Sequence, residues 1–210
     1  LVDAPGVGEH LQDHPEGVIG FETAKPMVRE STQWWEAGIF TTTRDGLDRP
    51  DLMMHYGSVP FDMHTRRQGY PTSPESFALT PNVTHAKSRG TVRLRTIDYR
   101  DKPRVDPRYF TDPEGHDMKV MIAGIRKARE IAEAGPLKEW IERELYPGPG
   151  AQTDAELADQ QPVHLALGVA QPRGQPGDAG PLHLPGGRVT MDVGPDRARL
   201  AESGVGVGGL

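Results

Sequence analysis

Two histidines, three acidic residues and three glycines fall within Pro5-Gly6-Val7-Gly8-Glu9-His10-Leu11-Gln12-Asp13-His14-Pro15-Glu16-Gly17. So many ionisable groups make poor core and good site material. Pro15 holds His14 extended, and the following Gly17-Val18-Ile19-Gly20-Phe21-Glu22-Thr23 reads as a strand. His14 and Glu16, two apart, then share one side of its mouth. A carboxylate there suits a cation. A quaternary ammonium has no N–H, so only negative charge and aromatic faces hold it. A carboxylate about 4 Å away supplies about 4 kcal/mol at an effective dielectric of about 20. An aromatic face adds roughly 0.5–2 kcal/mol. Glu16 alone reads equally as a solvated acid at a strand start.

Three more residues invite chemistry. Trp35 follows Trp34, a pair that by pattern alone is ordinarily half-buried packing. Phe61 is an aromatic of either kind, core or site. His55 sits in the apolar strand Asp51-Leu52-Met53-Met54-His55-Tyr56, where a lone histidine is usually a satisfied core residue. His10 and His14 are four apart, but Pro15 and the glycines oppose the helix that a metal pair needs, and no metal site is expected. His64, His85 and His116 are expected to be solvated. The closing Gly204-Val205-Gly206-Val207-Gly208-Gly209 lacks the strand and helix that frame a dinucleotide fingerprint.

The elements that must position these groups follow from patterning. Pro26 ends the first strand, and Ser31 or Thr32 starts a short turn or helix holding Trp34 and Trp35. The 51–56 strand is expected to be buried on both faces at its middle. Arg44-Asp45-Gly46 is a turn, and 64–75 a long loop, a lid or rim. Ser76–Val83 and 90–96 read as strands, the second with Val92 and Leu94 inward and Arg93 and Arg95 outward. Asp112 caps a helix with Pro113 first; Met118, Met121, Ile122, Ile125, Ala128 and Ala132 follow helical spacing on one face, and Lys127 and Glu130 lie on the other. Gly135-Pro136 breaks it. A second helix is expected from Leu137 to Leu145, and a third start at Thr153. Strands followed by helices without βαβ alternation give an α+β fold, an antiparallel sheet with helices on one face.

The 210 residues carry a net charge of −6, which argues against nucleic-acid and anionic-membrane partners. No apolar run approaches the ~20 residues of a membrane span. Zero cysteines exclude disulfides and thiolate metal sites within this sequence. No leader opens the chain, and a cytoplasmic location is the default. The first residue is not Met, so the natural N-terminus is expected upstream. Residues 161–210 are rich in glycine and proline and contain no Phe, Tyr, Trp, Ile or Lys. They are read as a disordered or loosely held tail, one that a frameshift or gene-model error would explain.

Pro5 to His14 resembles the segment entering the substrate domain of the glucose-methanol-choline (GMC) flavoprotein oxidoreductases. The stretches 30–36, 48–63 and 101–118 resemble its choline-oxidising members, and the likeness covers about residues 1–160. It implies a partial substrate-binding domain over 1–160, with 161–210 unmatched. It also implies FAD-dependent oxidation of choline to betaine aldehyde and glycine betaine, with oxygen reduced to peroxide, in a homodimeric parent. On this resemblance Glu16 is the ammonium-binding glutamate, and Trp35 and Phe61 are active-site aromatics. His55 is the histidine that hydrogen-bonds the alcohol oxygen, and His14 a further active-site histidine. The FAD-binding Gly-x-Gly-x-x-Gly turn and the catalytic His of the family pattern are absent from this sequence, so FAD is expected to be bound mainly by regions outside it. The isolated chain is expected to be inactive. A GMC dehydrogenase with another electron acceptor, or a non-catalytic binder of quaternary ammonium cations, are the alternatives.

Overall fold

The computed structural model describes residues 2–28, 30 and 33–160, and the backbone of 163–164. The expected tail at 161–210, the backbone of 163–164 aside, and the proposed start at Ser31 or Thr32 lie outside the described residues.

Strand β1 (Glu16–Gly17) and strand β2 (Ile19–Thr23) are one extended run interrupted at Val18. They are followed by β3 (Trp35–Thr41), β4 (Leu52–Gly57) and β5 (Ser76–Val83). Then come β6 (Thr91–Arg93) and β7 (Arg104–Asp106), a separate two-stranded ribbon. Helix α1 (His116–Ala132) and the short α2 (Gly135–Lys138) lead to β8 (Ile141–Tyr146), helix α3 (Asp154–Asp159) and β9 (Val163–His164). Among the described residues β3, β4, β5 and β1 lie side by side in that order, every pairing antiparallel. Outside β1 and β2 run β9 and β8.

β5 is the strand on which the sheet is built. Glu16 faces Asn82 and Ile19 faces Leu79, the same register on both sides of Val18. Val83 N–H donates to Pro15 O at 3.1 Å, so 15 and 83 are a hydrogen-bonded pair. Such pairs recur every second residue along an antiparallel ladder. The next is 17 with 81, and Pro81 has no N–H to give. The ladder breaks there for that reason.

Alternation then divides the sheet. Ile19, Phe21, Leu52, Met54, Phe77, Leu79 and Val83 are buried together with Val120, Met121, Ile125 and Ala128 of α1 and Leu157 of α3. Phe21 and Phe77 stack with centroids 5.3 Å apart. Each such side chain contributes roughly 1.5–3 kcal/mol when fully buried. Helix and sheet meet most closely at Gly124, where a Cβ would lie 2.6 Å from Pro81 Cβ and 2.9 Å from Leu52 Cδ1. The α+β architecture with helices on one face is therefore as expected.

Several local expectations differ. The 137–145 segment is not a helix: α2 stops at Lys138, and β8 pairs with β2. Glu144 is held there by a two-pronged bond from Arg129 (2.9 Å to each carboxylate oxygen), and Arg129 also donates to Ala151 O and Gly148 O. Leu145 is buried, but Leu137, Trp140 and Ile141 are only half-buried. Trp35 opens a strand, not a helix or turn. β4 is not buried on both faces, since Met53, His55 and Tyr56 are half-exposed while Leu52, Met54 and Gly57 are buried. Val92 and Leu94 point to solvent, because the β6–β7 ribbon stands off the main sheet. Helix α1 begins at His116 rather than Pro113. Asp112 nevertheless caps it, accepting from His116 N–H at 2.5 Å and Asp117 N–H at 3.2 Å. The buried Asp117 in turn accepts from Lys87 N–H and Ser88 N–H, at 2.7 and 2.9 Å. The Thr153 helix start is a full capping box with Glu156.

Gly124→Val should lower the stability of the 210-residue chain by about 1–3 kcal/mol in urea unfolding, because neither Pro81 nor Leu52 can yield to the added methyl groups. An unchanged midpoint would refute close packing at this crossing.

Candidate functional site

The face of the sheet away from α1 carries the candidate residues in three rungs. Glu16, Asn82 and Met53 form the first, and Thr80, His55 and Gly38 the second. Ala78, Gly57 and Trp35 form the third. Residues directly opposite each other, or two apart along a strand, share a face. One surface therefore holds Glu16, His55 and Trp35.

Ala78 and Gly57 of the third rung are small, and the third member, Trp35, lays its ring over Gly57. A Cβ on Gly57 would stand 2.9 Å from Trp35 Cζ3. The indole contacts the His55 ring at a centroid distance of 5.4 Å and meets Phe61 edge-on at 4.9 Å. Phe61 comes from the loop after β4, and with Tyr70 it packs on the buried Val18, Ala78, Leu145 and Tyr146. The 64–75 segment, with a single 3-10 turn at Arg66–Gln68, thus covers one end of this face. His64, expected in solvent, is half-buried, and burial and then Arg67 hold its pKa below the usual histidine value. His116, also expected in solvent, is half-buried, whereas His85 is exposed.

His14 and Glu16 form a second group. Asn82, 1% exposed, donates from Nδ2 to Glu16 Oε1 at 3.0 Å and faces His14 Nδ1 with Oδ1 at 2.9 Å. Asp13 lies beside His14, its Oδ1 4.0 Å from Nε2 and 2.9 Å from the His14 backbone N–H. Tyr109 donates its hydroxyl to Asp13. Burial first, then that hydrogen bond and the Asp13 charge, push the Tyr109 pKa well up, so it stays a donor across the working range. A polar cleft lined by Gln12, Asp13, His14, Thr84, His85 and Arg89 opens beside His14. Glu16 and His55 lie two strand spacings apart across the sheet, about 10 Å, and one rung apart along it, about 7 Å.

The geometry joins Trp35, His55 and Phe61 in one ring cluster and His14 with Glu16 in another. His10, exposed and at a φ of 58°, belongs to neither. No cluster of three or more metal-ligating side chains occurs among the described residues. Asn82 and Tyr109 were not foreseen. The sequence hint for Asn82 is its place two residues after Thr80 on one side of a strand whose other side carries Phe77, Leu79 and Val83.

Gly57→Ala should displace the Trp35 indole and alter the near-UV circular dichroism of the chain. Gly150→Ala, where a Cβ meets open space, should leave it unchanged. Identical spectra for both would mean that the indole does not lie on Gly57.

Residues 86–168 match a family model described as GMC oxidoreductase. The chain is 76% identical to a choline oxidase of Arthrobacter globiformis over 159 residues, 76% of this chain and 29% of that protein. It is 31% identical to an alcohol dehydrogenase [acceptor] of Pseudomonas putida, over 74% of this chain and 32% of the relative. The chain thus spans about a third of the length of these curated relatives. Among solved structures, pyridoxine 4-oxidase from Mesorbium loti superposes with a TM-score of 0.67 at 24% identity, over 78% of this chain and 33% of that one, which bears on the fold. An antiparallel sheet with its helices on one face, a matching family model and this identity agree: the chain carries a domain of the GMC oxidoreductase family.

Proposed function

We propose that residues 1–160 form the substrate side of an FAD-dependent alcohol oxidase acting on choline, taking it to betaine aldehyde and glycine betaine. The parent is read as a cytoplasmic homodimer that reduces oxygen to peroxide. The observation that supports this reading most directly is a single sheet face bearing a carboxylate, Glu16, and an imidazole, His55, in tilted ring contact with Trp35, which meets Phe61 edge-on. Two strand spacings and one rung between Glu16 and His55 leave room for a small ligand, cationic at one end and hydroxylic at the other. The identity to a choline oxidase points the same way.

The roles follow from charge. Glu16 draws the ammonium, and Trp35 and Phe61 wall the end of the face at which His55 lies. His55 hydrogen-bonds the alcohol oxygen and steadies the negative charge that develops there as the hydroxyl proton leaves. His14 adds its electrostatic influence at the other end. FAD, when bound, supplies the hydride acceptor. The described residues do not fit a dinucleotide cradle: all their strand pairings are antiparallel, and no βαβ unit occurs among them. The cofactor is therefore assigned to other parts of the enzyme. Trp34 and Phe40, 60% and 66% exposed at the open edge, are consistent with a surface that another domain covers.

The test is a chimaera in which residues 1–160 replace the matching segment of the Arthrobacter choline oxidase. It should hold FAD and form peroxide from choline. A flavin-loaded chimaera that ignores choline yet oxidises uncharged alcohols would sink the proposal. Within it, Glu16→Gln should lower kcat/KM for choline by on the order of 100-fold, the scale of one lost ion pair. His55→Ala should lower kcat by about 100- to 1000-fold, the scale of one lost oxyanion donor. The 210-residue chain alone should take up no flavin and form no peroxide.

A further inference from the structure

We propose that Asn82 is a positioning residue: its side-chain amide aims the Glu16 carboxylate at the cationic end of the substrate and fixes His14 in its Nδ1–H tautomer. This rests on the reading of Glu16 as the ammonium-binding group.

The amide orientation is dictated by its surroundings. Nδ2 donates to two acceptors, Glu16 Oε1 at 3.0 Å and Thr80 O at 3.2 Å. Exchanging the amide oxygen and nitrogen would set Oδ1 against a carboxylate and a carbonyl, so the assignment holds on hydrogen-bond grounds. Oδ1 then accepts from the ring nitrogen 2.9 Å away, so His14 Nδ1 carries a proton. A single buried amide thereby ties two of the candidate groups to each other and to the backbone of β5.

The placement is more than a satisfied core polar group. Burying an amide is costly unless its hydrogen bonds are met, and Thr80 O alone would meet one of them. Asn82 spends its other donor and its acceptor on Glu16 and His14. Its position is rigid, because it pairs with Glu16 on one side and Met53 on the other in a fully buried strand. Glu16 is partly exposed, at the mouth of a two-residue strand, and a glutamate there has three rotatable bonds. A fixed donor on one oxygen removes much of that freedom before the ligand arrives, and preorganisation of this kind raises affinity.

The experiment uses the 1–160 chimaera and two substrates: choline, and its uncharged carbon isostere 3,3-dimethylbutan-1-ol. The readout is the ratio of their kcat/KM values, together with flavin content. Asn82→Ala and Asn82→Leu, the second close to Asn in shape, should each cut the preference for choline about tenfold, the scale of one charge-assisted hydrogen bond. The loss should appear in KM more than in kcat. A general structural defect would lower both substrates together and leave the ratio intact. Flavin-loaded variants that keep the parent ratio overturn the proposal. A parent chimaera with no preference for choline instead overturns the reading of Glu16, and the role of Asn82 falls with it. Should neither variant hold FAD, the 15N ring shifts of His14 in the unmutated chimaera decide, assigned against a His14→Gln sample. A protonated Nδ1 with an unprotonated Nε2 supports the proposal, and the reverse tautomer overturns it.

Discussion

The pairing register of β5 is the constraint on which the molecule depends. Glu16 opposite Asn82, and His55 opposite Thr80, set which side chains face the helices and which face outward. The side-chain period of a strand is two, so a slip of one residue would exchange the faces. Glu16 and His55 would then be driven against Met121 and Ile125, and Leu79 and Met54 into the site. Burying unpaired ionisable groups costs several kcal/mol. The core therefore enforces the site geometry without touching it. Pro81 adds a local mark to this register, since the one ladder bond it cannot make falls at the 17–81 pair, where the β1–β2 run breaks.

The two faces of the sheet are finished by different means. Against α1 the sheet offers large aliphatic and aromatic side chains, and the helix offers Gly124 and Ala128, so the backbones approach closely. On the other face the sheet itself supplies the small residues. Gly20 lies under the Tyr146 ring and Gly57 under Trp35. Rings from elsewhere in the chain settle onto those gaps. A flat floor of glycine and alanine is thus what allows an indole, an imidazole and a phenyl ring to gather at the edge of a three-strand patch.

Much of the framework was readable from local patterning because local causes create it. Ser76–Val83 and the buried face of α1 follow from hydrophobic period, and the Thr153 start follows from a capping box confined to four residues. What escaped was decided at a distance. Leu137 to Leu145 satisfies a helical spacing, yet β2 needed a partner and Arg129 held Glu144 in an extended run. Val92 and Leu94 alternate as a half-buried strand should, but their ribbon has no sheet beneath it. The link from Glu16 to Asn82 joins residues 66 apart, and nothing local to either announces it. His14, Glu16 and His55 were legible as candidates by type. That the first two share one amide, and the third a ring contact with Trp35, depends on register.

Charge and shape on the outward face are arranged along a gradient. Near β1 the groups are polar and joined by hydrogen bonds, from Tyr109 to Asp13, from the His14 backbone N–H to Asp13, and through Asn82 from His14 to Glu16. Near β3 they are aromatic, and the edge is exposed. A purely hydrophobic ligand would leave the Glu16 carboxylate without a partner, and a purely ionic one would waste the rings. A ligand with both a cationic head and an apolar shell satisfies the two ends at once. In water the Coulombic part of that attraction is weak, about 1 kcal/mol at 4 Å, and it grows severalfold as solvent is excluded. The outward face gains its full affinity only when something covers it, which makes closure of this surface by the rest of the enzyme a condition of tight cation binding, separate from the supply of the cofactor.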